Sequence, residues 1–466
     1  MNNEEVDLEL AVSLHSTLRN EPITKKDSKF QQHLKTLRFI MPYLPTALYS
    51  VPQYYLRGPA VKSWPLQLHV LINVIKRFSK IANNETSTPY QLQSFTKLKQ
   101  ALPIGFILKP IKVKRSIKAV NFFKNGGMLF SKFPKEAELK NFEFDEELTR
   151  EKNNGFAGPG VDCDWIFKNG LEDSKKVIIY LHGGAYVFGS KEVYRRLCSQ
   201  YSEGAECRVL AVNYRLAPQN PFPCAVIDAL SVYFYLLDEG FSANQIVFSG
   251  DSAGGGLALS TLLVLRDGGF SSPAGAICFS PWVDLTNSLP SFRLSGKTDY
   301  LPSQARDLKL GDRLHYYAEN KELRNPYVSP LFAKSLRGLP PILIQVGSVE
   351  RLRDECVLFA TRASTSFLKN NSDYDIFDHT KVQFEIYEDQ VHVFQIFHFL
   401  PCSVTAMNRA FDFCKSITDE SSVEKLINFN SSNNLFDPAG KLVKMVTFDP
   451  TTGLYQKNGV LRSSKL

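Results

Sequence analysis

A serine in a tight glycine turn is the most informative feature of the sequence. Residues 249–256, SGDSAGGG, follow an apolar run and precede a helical pattern, so Ser252 stands in a G-x-S-x-G motif between strand and helix. Glycines on both sides allow a turn too sharp for side chains, which lifts the serine hydroxyl above the sheet edge. The motif also occurs in glycine turns without function, but this context favours chemistry. We predict that Ser252 is a nucleophile.

A second glycine pair could stabilise the charge that such a nucleophile generates. The segment HGGA, residues 182–185, ends an earlier apolar run, 70 residues before the serine. Attack on an ester or amide produces a negative oxygen, and each unhindered N–H group that binds it lowers the barrier by about 3 kcal/mol. We expect this oxyanion hole to consist of Gly183, Gly184 and Ala253. A glycine loop without function is the alternative, and His182 is expected to be structural.

The general base must be one of eight histidines. A serine hydroxyl is a weak nucleophile until a base accepts its proton. His392, in YEDQVHVFQIF, follows the last predicted strand, at the sheet edge where the serine turn and the HGGA loop also emerge. We therefore predict that His392 is the base. Structural roles are expected for the other histidines: His15, His33, His69, His182, His315, His379 and His398.

Three carboxylates in VGSVERLRDE, residues 346–355, compete for the role of the acid that orients the base. The chain order nucleophile, acid, base places this acid after the penultimate strand, PPILIQVG. Glu350 lies two residues beyond that strand and is expected to orient His392. Asp354 is the alternative. Asp354 and Glu355 come where a helix begins, and backbone N–H groups and the helix dipole favour carboxylates there for structural reasons.

Apolar, β-branched runs alternate with helical patterns from about residue 175 onward. Such near-continuous runs are typical of parallel strands buried on both faces. The alternation predicts an α/β fold with a mostly parallel, doubly wound sheet. Strands are predicted at 176–184, 208–215, 245–252, 276–283, 340–348 and 381–389, and less distinctly in NFEFDEEL and VDCDWIFK. Helices are predicted at 191–204, 224–238, 253–266, 353–369 and 393–417.

Long connections interrupt this alternation and suggest a domain organisation. Residues 284–339 separate two strands by more than one crossover helix needs, which predicts a cap or lid insertion. A smaller polar insert, 369–380, precedes the last strand. We predict a basic N-terminal segment at 1–135, a catalytic domain at 136–418 and an unassigned tail at 419–466.

Taken together, the motifs resemble those of the hormone-sensitive-lipase-like group of α/β-hydrolases, which includes arylacetamide deacetylases and fungal steryl acetyl hydrolases. The matching segments lie in one order within residues 175–418: HGGA, NYRLAPQNPFPCAVID, GDSAGG, SPWVDL, ERLRDE and VHVF. The resemblance implies an α/β-hydrolase fold with a cap built partly from N-terminal helices. It also implies esterase or lipase chemistry on carboxylic esters, apolar or acetylated, through an acyl-serine intermediate. Neither a metal nor another cofactor is expected.

Three positions depart from the family pattern. Ala185 replaces the third glycine of the usual HGGG loop, which should narrow the oxyanion side of the pocket. Gln219 replaces a glutamate away from the catalytic groups, and Glu350 stands where the family usually has aspartate. Because glutamate is one methylene longer, the loop must set its backbone back for Glu350 to reach the imidazole.

The N-terminal third is strongly basic, although the whole chain carries a net charge of only +8. Residues 25–135 contain 20 basic residues and two acidic ones, Asp27 and Glu85. Prolines argue against a transmembrane helix at 39–56, whereas 63–80 has the pattern of an amphipathic helix and 101–124 mixes apolar and basic residues. We weigh two interpretations that are compatible: cap helices over the site, and a surface that binds an anionic membrane.

Other properties narrow the partners and the compartment. No nucleic-acid-binding module accompanies the basic charge, so a nucleic-acid partner is not expected. Eight scattered cysteines without a CxxC pair and an acidic start without a signal-peptide pattern predict buried free thiols and a protein that is not secreted. We expect a cytoplasmic enzyme, with peripheral attachment to an intracellular membrane or lipid droplet as an option. The partner is a small ester or lipid substrate.

A binding protein on the same scaffold is the competing hypothesis, because a fold alone does not establish catalysis. A receptor that had lost catalysis would typically lack the serine or the histidine. The sequence retains both Ser252 and His392, which favours the enzyme.

Overall fold

The computed structural model describes residues 43–82, 93, 100–125, 160–302, 315–364, 380–419, 432–445, 448–449, 454–457 and 460–462. Predictions on NFEFDEEL, on His15, His33 and His379, and on nearly all of the polar insert at 369–380 lie outside these residues.

A ten-stranded sheet forms the centre of the protein, with the strand order β1-β2-β4-β3-β5-β6-β7-β8-β9-β10. The strands from β4 through β9 are parallel, whereas β1, β2 and β10 pair antiparallel to their neighbours. The strand bounds are β1 Phe106–Val113, β2 Val161–Lys168, β3 Val177–Leu181, β4 Arg208–Asn213, β5 Ile246–Asp251, β6 Gly275–Phe279, β7 Ile342–Gly347, β8 Val382–Tyr387, β9 Ser432–Phe436 and β10 Leu442–Met445. A separate three-stranded sheet contains β11 Phe448–Asp449, β12 Leu454–Lys457 and β13 Val460–Arg462.

Helices cover both faces of the sheet, as the apolar runs predict. Along β3, Ile179 and Leu181 join the core on one face, while Ile178 and Tyr180 join the core on the other. This alternation buries every residue of β3, because successive side chains of a strand point to opposite faces. The helix bounds are α1 Leu44–Arg57, α2 Leu66–Ala82, α3 Ile117–Asn125, α4 Arg195–Ala205, α5 Cys224–Asp238, α6 Ala253–Asp267, α7 Pro290–Leu294, α8 Arg353–Ser364 and α9 Pro401–Thr418.

The sheet extends beyond the predicted limits of the catalytic domain, 136–418, at both ends. Strand β1 comes from the basic N-terminal segment and pairs with β2 in full register. Strand β9 comes from the tail and pairs with β8, and the ring of its Phe436 stacks on Tyr387 at 4.7 Å. The limits at 136 and 418 are therefore wrong for the sheet. Strand β1 pairs with the outer edge of β2, and β9 pairs with the outer edge of β8. Without these two strands, the backbone N–H and carbonyl groups along those edges would be unpaired.

The predicted elements of the core are confirmed, and most of their bounds differ from the prediction by a few residues. The six main strands and VDCDWIFK all form. Helix α9 begins at Pro401 instead of 393, because Phe394–Ile396 form a 3-10 turn and proline is favoured in the first turn of a helix. His398 therefore lies before the helix, and not inside it. Between β6 and β7, the described residues form α7 and three 3-10 turns, so one crossover helix does not span this connection.

Helices α1 and α2 pack against each other, with Tyr54 of α1 edge-on to His69 of α2. Trp64, Leu68 and Ile72 are buried in a third apolar cluster that also contains Val349 and Val391. Among the described residues, no helix is long and apolar enough to cross a membrane.

Candidate active site

Ser252 occupies a strained turn between β5 and α6. Its φ is 53°, in the left-handed region that non-glycine residues rarely adopt. A side chain at Gly254 would overlap the carbonyl oxygens of Leu181 and His182, and one at Gly250 would come too close to Gly254. Glycine is therefore required on both sides of the serine, and the turn presents the Ser252 hydroxyl at the N-terminus of α6.

His392 lies beside this hydroxyl. The distance from His392 Nε2 to Ser252 Oγ is 2.9 Å, within hydrogen-bonding range. Two hydrogen bonds hold the backbone of the loop after β8 at this residue. The hydroxyl of Tyr300 donates to the carbonyl oxygen of His392 at 2.8 Å. Val393, with a φ of 49°, donates its N–H to Ser280 Oγ. The imidazole is thus oriented toward the serine from two sides.

Glu350 faces the other nitrogen of the same ring. Its Oε1 lies 3.4 Å from His392 Nδ1, which is long for a hydrogen bond. Its Oε2 accepts the N–H of Gly347 and the hydroxyl of Ser280, each at 2.8 Å. The side chain of Glu350 is fully buried, so these donors offset the cost of removing a carboxylate from water. The structure thus brings Ser252, His392 and Glu350 into one row.

The surroundings of His392 stabilise the protonated form of its imidazole. Burial alone would lower the pKa of His392, but the hydrogen bond to Glu350 and the negative charges of Glu350, Asp299 and Asp251 outweigh it and raise this pKa. Burial raises the pKa of Glu350, while contact with His392 opposes that shift. The acidic surroundings therefore stabilise the protonated base that a proton transfer from serine would produce.

The two remaining carboxylates of VGSVERLRDE bind elsewhere. Both lie in the first turn of α8, as expected, but their partners come from the β6–β7 connection. Asp354 accepts the N–H of Ser291 at 2.8 Å and forms an ion pair with Arg353. Glu355 accepts the N–H groups of Val283 and Asp284. Both carboxylates therefore fasten the connection to α8 instead of contacting the imidazole.

The oxyanion loop differs from the prediction at one residue. The N–H of Gly183 donates to Asp251 Oδ1 at 2.9 Å, so the prediction that Gly183 donates to the oxyanion is wrong. Within the described residues, no hydrogen bond occupies the N–H of Gly184, Ala185 or Ala253. Ala185 is exposed. Its φ is 53°, a backbone conformation that glycine usually adopts. The N–H of Gly184, the next residue along the loop, is therefore free, whereas the N–H of Gly183 is occupied.

The described histidines other than His392 have structural surroundings. His182 stacks on Tyr214 at 4.3 Å, and burial lowers its pKa to about 4, which does not suit a base at neutral pH. His69, on α2, is buried against Tyr54 of α1, and His315 packs edge-on to Trp282. Burial also lowers the pKa of His398 to about 4.

Two residues of the site were missed by the sequence analysis. Ser280 links the acid to the base loop, and the quoted motif SPWVDL contained it without indicating this role. Asp299 is buried in the β6–β7 connection and accepts the N–H of Arg351, one residue after Glu350, at 2.6 Å. No spacing in the sequence connects Asp299 to the site, because the contact depends on how the connection folds back.

The described residues hold no group of three or more His, Cys, Asp or Glu that could bind a metal ion. All eight cysteines are free and buried, which confirms the prediction from their spacing.

Comparison with known proteins agrees with this geometry. Residues 178–396 match the family model described as alpha/beta hydrolase fold. An acetyl-hydrolase of Streptomyces hygroscopicus is 37% identical over 259 residues, which cover 55% of this chain and 81% of the relative. The chain belongs to the α/β-hydrolase fold family.

Further relatives place this α/β-hydrolase in the hormone-sensitive-lipase-like group. An esterase of Acinetobacter venetianus is 36% identical over 48% of this chain and 69% of its own length. The crystal structure of an esterase from the bacterial hormone-sensitive lipase family is similar over 77% of this chain and all of that chain, with 28% identity and a TM-score of 0.57. This α/β-hydrolase is a carboxylic ester hydrolase.

Proposed function

We propose that this α/β-hydrolase cleaves carboxylic esters with Ser252 as the nucleophile, His392 as the general base and Glu350 as the acid that orients the base. The observation that carries the proposal is the continuous row of contacts from Ser252 Oγ to His392 Nε2, and from His392 Nδ1 to Glu350 Oε1. A hydroxyl, an imidazole and a carboxylate in this order can perform acyl transfer without a cofactor.

The reaction proceeds in two halves. His392 accepts the proton of Ser252 as the oxygen attacks the ester carbonyl, and Glu350 stabilises the imidazolium. The N–H groups of Gly184, Ala185 and Ala253 bind the oxygen of the tetrahedral intermediate, with Ala185 in the place predicted for Gly183. His392 then donates the proton to the leaving alcohol, and water releases the acid from the acyl-serine by the same steps.

The proposed substrate is an acetylated or otherwise apolar ester. The acetyl-hydrolase relative supports a small acyl group, and the methyl group of Ala185 beside the oxyanion position would narrow that side of the pocket.

The nucleophile is tested by Ser252→Ala. We expect hydrolysis of p-nitrophenyl acetate to fall by at least about 10³-fold, because the covalent step is lost. Labelling by a fluorophosphonate probe should be abolished as well, and a circular dichroism spectrum should show that the variant is folded. Undiminished turnover by purified Ser252→Ala would refute the proposal, whereas a wild-type protein that neither turns over esters nor labels would favour the non-catalytic receptor.

The acid is tested by comparing Glu350→Gln with Asp354→Asn. We expect Glu350→Gln to lower kcat by about 10²–10⁴-fold with folding intact, because the imidazolium loses its charged partner. Asp354→Asn, as the matched control, should change stability more than kcat, since Asp354 binds Ser291 and Arg353. The reverse ranking of the two kcat values would transfer the role to Asp354.

The pH profile of Glu350→Gln adds a second criterion. Activity requires neutral His392, so kcat/KM of the wild type should fall as the pH drops through the raised pKa of this residue. Removing the hydrogen bond and charge of Glu350 lowers that pKa, so the residual activity of Glu350→Gln should persist to lower pH. An unchanged acidic limb would contradict the pairing.

We further propose that the enzyme is cytoplasmic and attaches peripherally to an anionic membrane or lipid surface through α1. Leu44, Leu48, Val51 and Tyr55 recur at the spacing of one helix face, and all four are exposed. Leu56, beside this face, is 84% exposed, and Arg57 ends the helix. An apolar face with a cationic end suits the boundary between lipid headgroups and acyl chains.

A further inference from the structure

Asp251 is a buried carboxylate that the proposed reaction does not use. It precedes the nucleophile directly and is only 2% exposed. Its Oδ1 accepts the hydroxyl of Tyr180 at 2.7 Å and the N–H of Gly183 at 2.9 Å, and its Oδ2 accepts the hydroxyl of Tyr194 at 2.8 Å. Burying a carboxylate is costly unless donors surround it, so three converging donors indicate a built arrangement.

These donors come from three different parts of the fold. Tyr180 lies on β3, Gly183 opens the oxyanion loop that follows β3, and Tyr194 immediately precedes α4. Asp251 itself ends β5, one residue before Ser252. Its carboxylate therefore connects the turn of the nucleophile with the loop that supplies the N–H groups of Gly184 and Ala185.

The approach between the loop and the carboxylate is close. A side chain at Gly183 would overlap Asp251 Oδ2 and come within 3.1 Å of the Tyr194 hydroxyl. The first glycine of HGGA is thus needed to let the loop reach Asp251, whereas Gly184 and Ala185 keep their N–H groups free for the substrate. The hydrogen bond from Gly183 to Asp251 occupies the N–H of Gly183 and at the same time fixes the position of Gly184 and Ala185.

We propose that Asp251 is a positioning residue, which holds the oxyanion loop at the nucleophile turn through the N–H of Gly183 and adds a negative charge near the imidazolium of His392. The inference rests on the proposed function, because it assigns a role toward that oxyanion hole. Burial raises the pKa of Asp251, but the hydroxyls of Tyr180 and Tyr194 and the charge of His392 oppose this shift. Asp251 directly precedes Ser252, whose Oγ lies 2.9 Å from His392 Nε2, so its charge is close to the imidazole. Together with Glu350 and Asp299 it raises the pKa of His392, which gives the charge a measurable consequence.

Two substitutions separate the hydrogen bond from the charge. Asp251→Ala removes the acceptor of the Gly183 N–H, so kcat should fall by about 10²-fold with KM changed less than about threefold, because the oxyanion is bound more tightly in the transition state than the ester is in the ground state. Asp251→Asn keeps an oxygen for Gly183 and Tyr180, and its amide can donate to the Tyr194 hydroxyl. It should lose about tenfold in kcat or less, and the acidic limb of its kcat/KM profile should move to lower pH.

Tyr194→Phe is the matched control, since it removes one hydrogen bond from Oδ2 and leaves both the charge and the Gly183 contact. We expect kcat within about threefold of wild type and an unchanged acidic limb. Active sites are counted by end-point fluorophosphonate labelling in every variant, so loss of folded protein is not read as loss of kcat. Labelled, active wild type establishes Ser252 chemistry independently of the Asp251 arms.

The proposal is overturned if folded Asp251→Ala retains the kcat of the wild type, or if Asp251→Asn leaves the acidic limb in place. It is also overturned if Tyr194→Phe loses as much kcat as Asp251→Ala, because the carboxylate would then serve only the packing of the two tyrosines. If Asp251→Ala does not fold, the pH profile of Asp251→Asn against Tyr194→Phe decides.

Discussion

Two pieces of the same basic, acid-poor stretch take different positions in the molecule. In the first piece, within 44–82, Trp64, just before α2, and Leu68 and Ile72 on α2 share an apolar cluster with Val349 and Val391, the neighbours of Glu350 and His392 in the candidate active site. Strand β1 and helix α3, within 106–125, lie at the edge of the sheet, with β2, β4 and β3 between β1 and the strand that leads to Ser252.

The two pieces are also fastened by different interactions. The indole N–H of Trp64 donates to the carbonyl of Asp389 at 2.6 Å, and Ser63 binds the Asp389 carboxylate, three residues before His392. At the far edge, Arg115 forms a buried ion pair with Asp228 at 2.8 Å. Similar composition therefore produces one element that supports catalytic loops and one that completes the core.

The largest expected effect is on activity: Trp64→Ala in the first piece should lower it, whereas a substitution of similar cost in stability in the second piece should not. Losing a buried tryptophan costs about 3–5 kcal/mol and frees the loop before His392. We expect kcat/KM per titrated active site to fall by about 10–100-fold, because small displacements of a catalytic group have effects of this size. The measurement is hydrolysis of p-nitrophenyl acetate together with urea unfolding.

Phe123→Ala in α3 is the control for this substitution. Phe123 is fully buried and contacts Phe222 edge-on, so its loss should cost a similar 3–5 kcal/mol. Its activity per active site should nevertheless stay near that of the wild type. If both variants lose activity equally, the proximity of Trp64 to the loop before His392 has no special consequence, and the comparison between the two pieces fails.

The sequence separates these pieces only where its periodicity is visible. Leu68 and Ile72 are buried and lie four residues apart, so the prediction of an amphipathic helix at 63–80 matches α2 apart from its first three residues. In FILKPIKV, Ile107, Ile111 and Val113 share one parity and pack on the core, which is the period of a strand. Grouping this segment with the basic helices by composition concealed its alternation, and the strand was missed.

The site was predictable to the extent that its residues follow strands. Ser252 comes directly after β5, and His392 lies in the loop after β8. The carboxyl ends of these parallel strands meet at one edge of the sheet, so motif and order indicated both residues. Ser280 and Asp299 escaped because their roles depend on contacts between loops. The occupied N–H of Gly183 escaped for a similar reason, since only the position of Asp251 shows that this N–H already donates a hydrogen bond.

A smaller effect is expected on binding to a lipid surface. It should depend on the exposed apolar residues of α1 and not on those of the second piece. Leu48 and Leu56 on α1 are 62% and 84% exposed, and Ile104 and Ile117 at the far edge are 98% and 71% exposed. If α1 inserts into the lipid boundary, the double variant Leu48→Gln/Leu56→Gln should bind vesicles of phosphatidylserine and phosphatidylcholine about tenfold more weakly, because burying two partly exposed leucines contributes on the order of 1–2 kcal/mol.

The control is the double variant Ile104→Gln/Ile117→Gln. It removes similar apolar area and leaves the same charge, so it should bind like the wild type. Flotation in a density gradient at low and high salt measures both, and salt should weaken the binding of the wild type because anionic headgroups attract Arg57 and its basic neighbours. Equal losses in the two double variants would mean that net basic charge, and not the face of α1, determines attachment, and binding that is as strong to neutral vesicles would remove the electrostatic part.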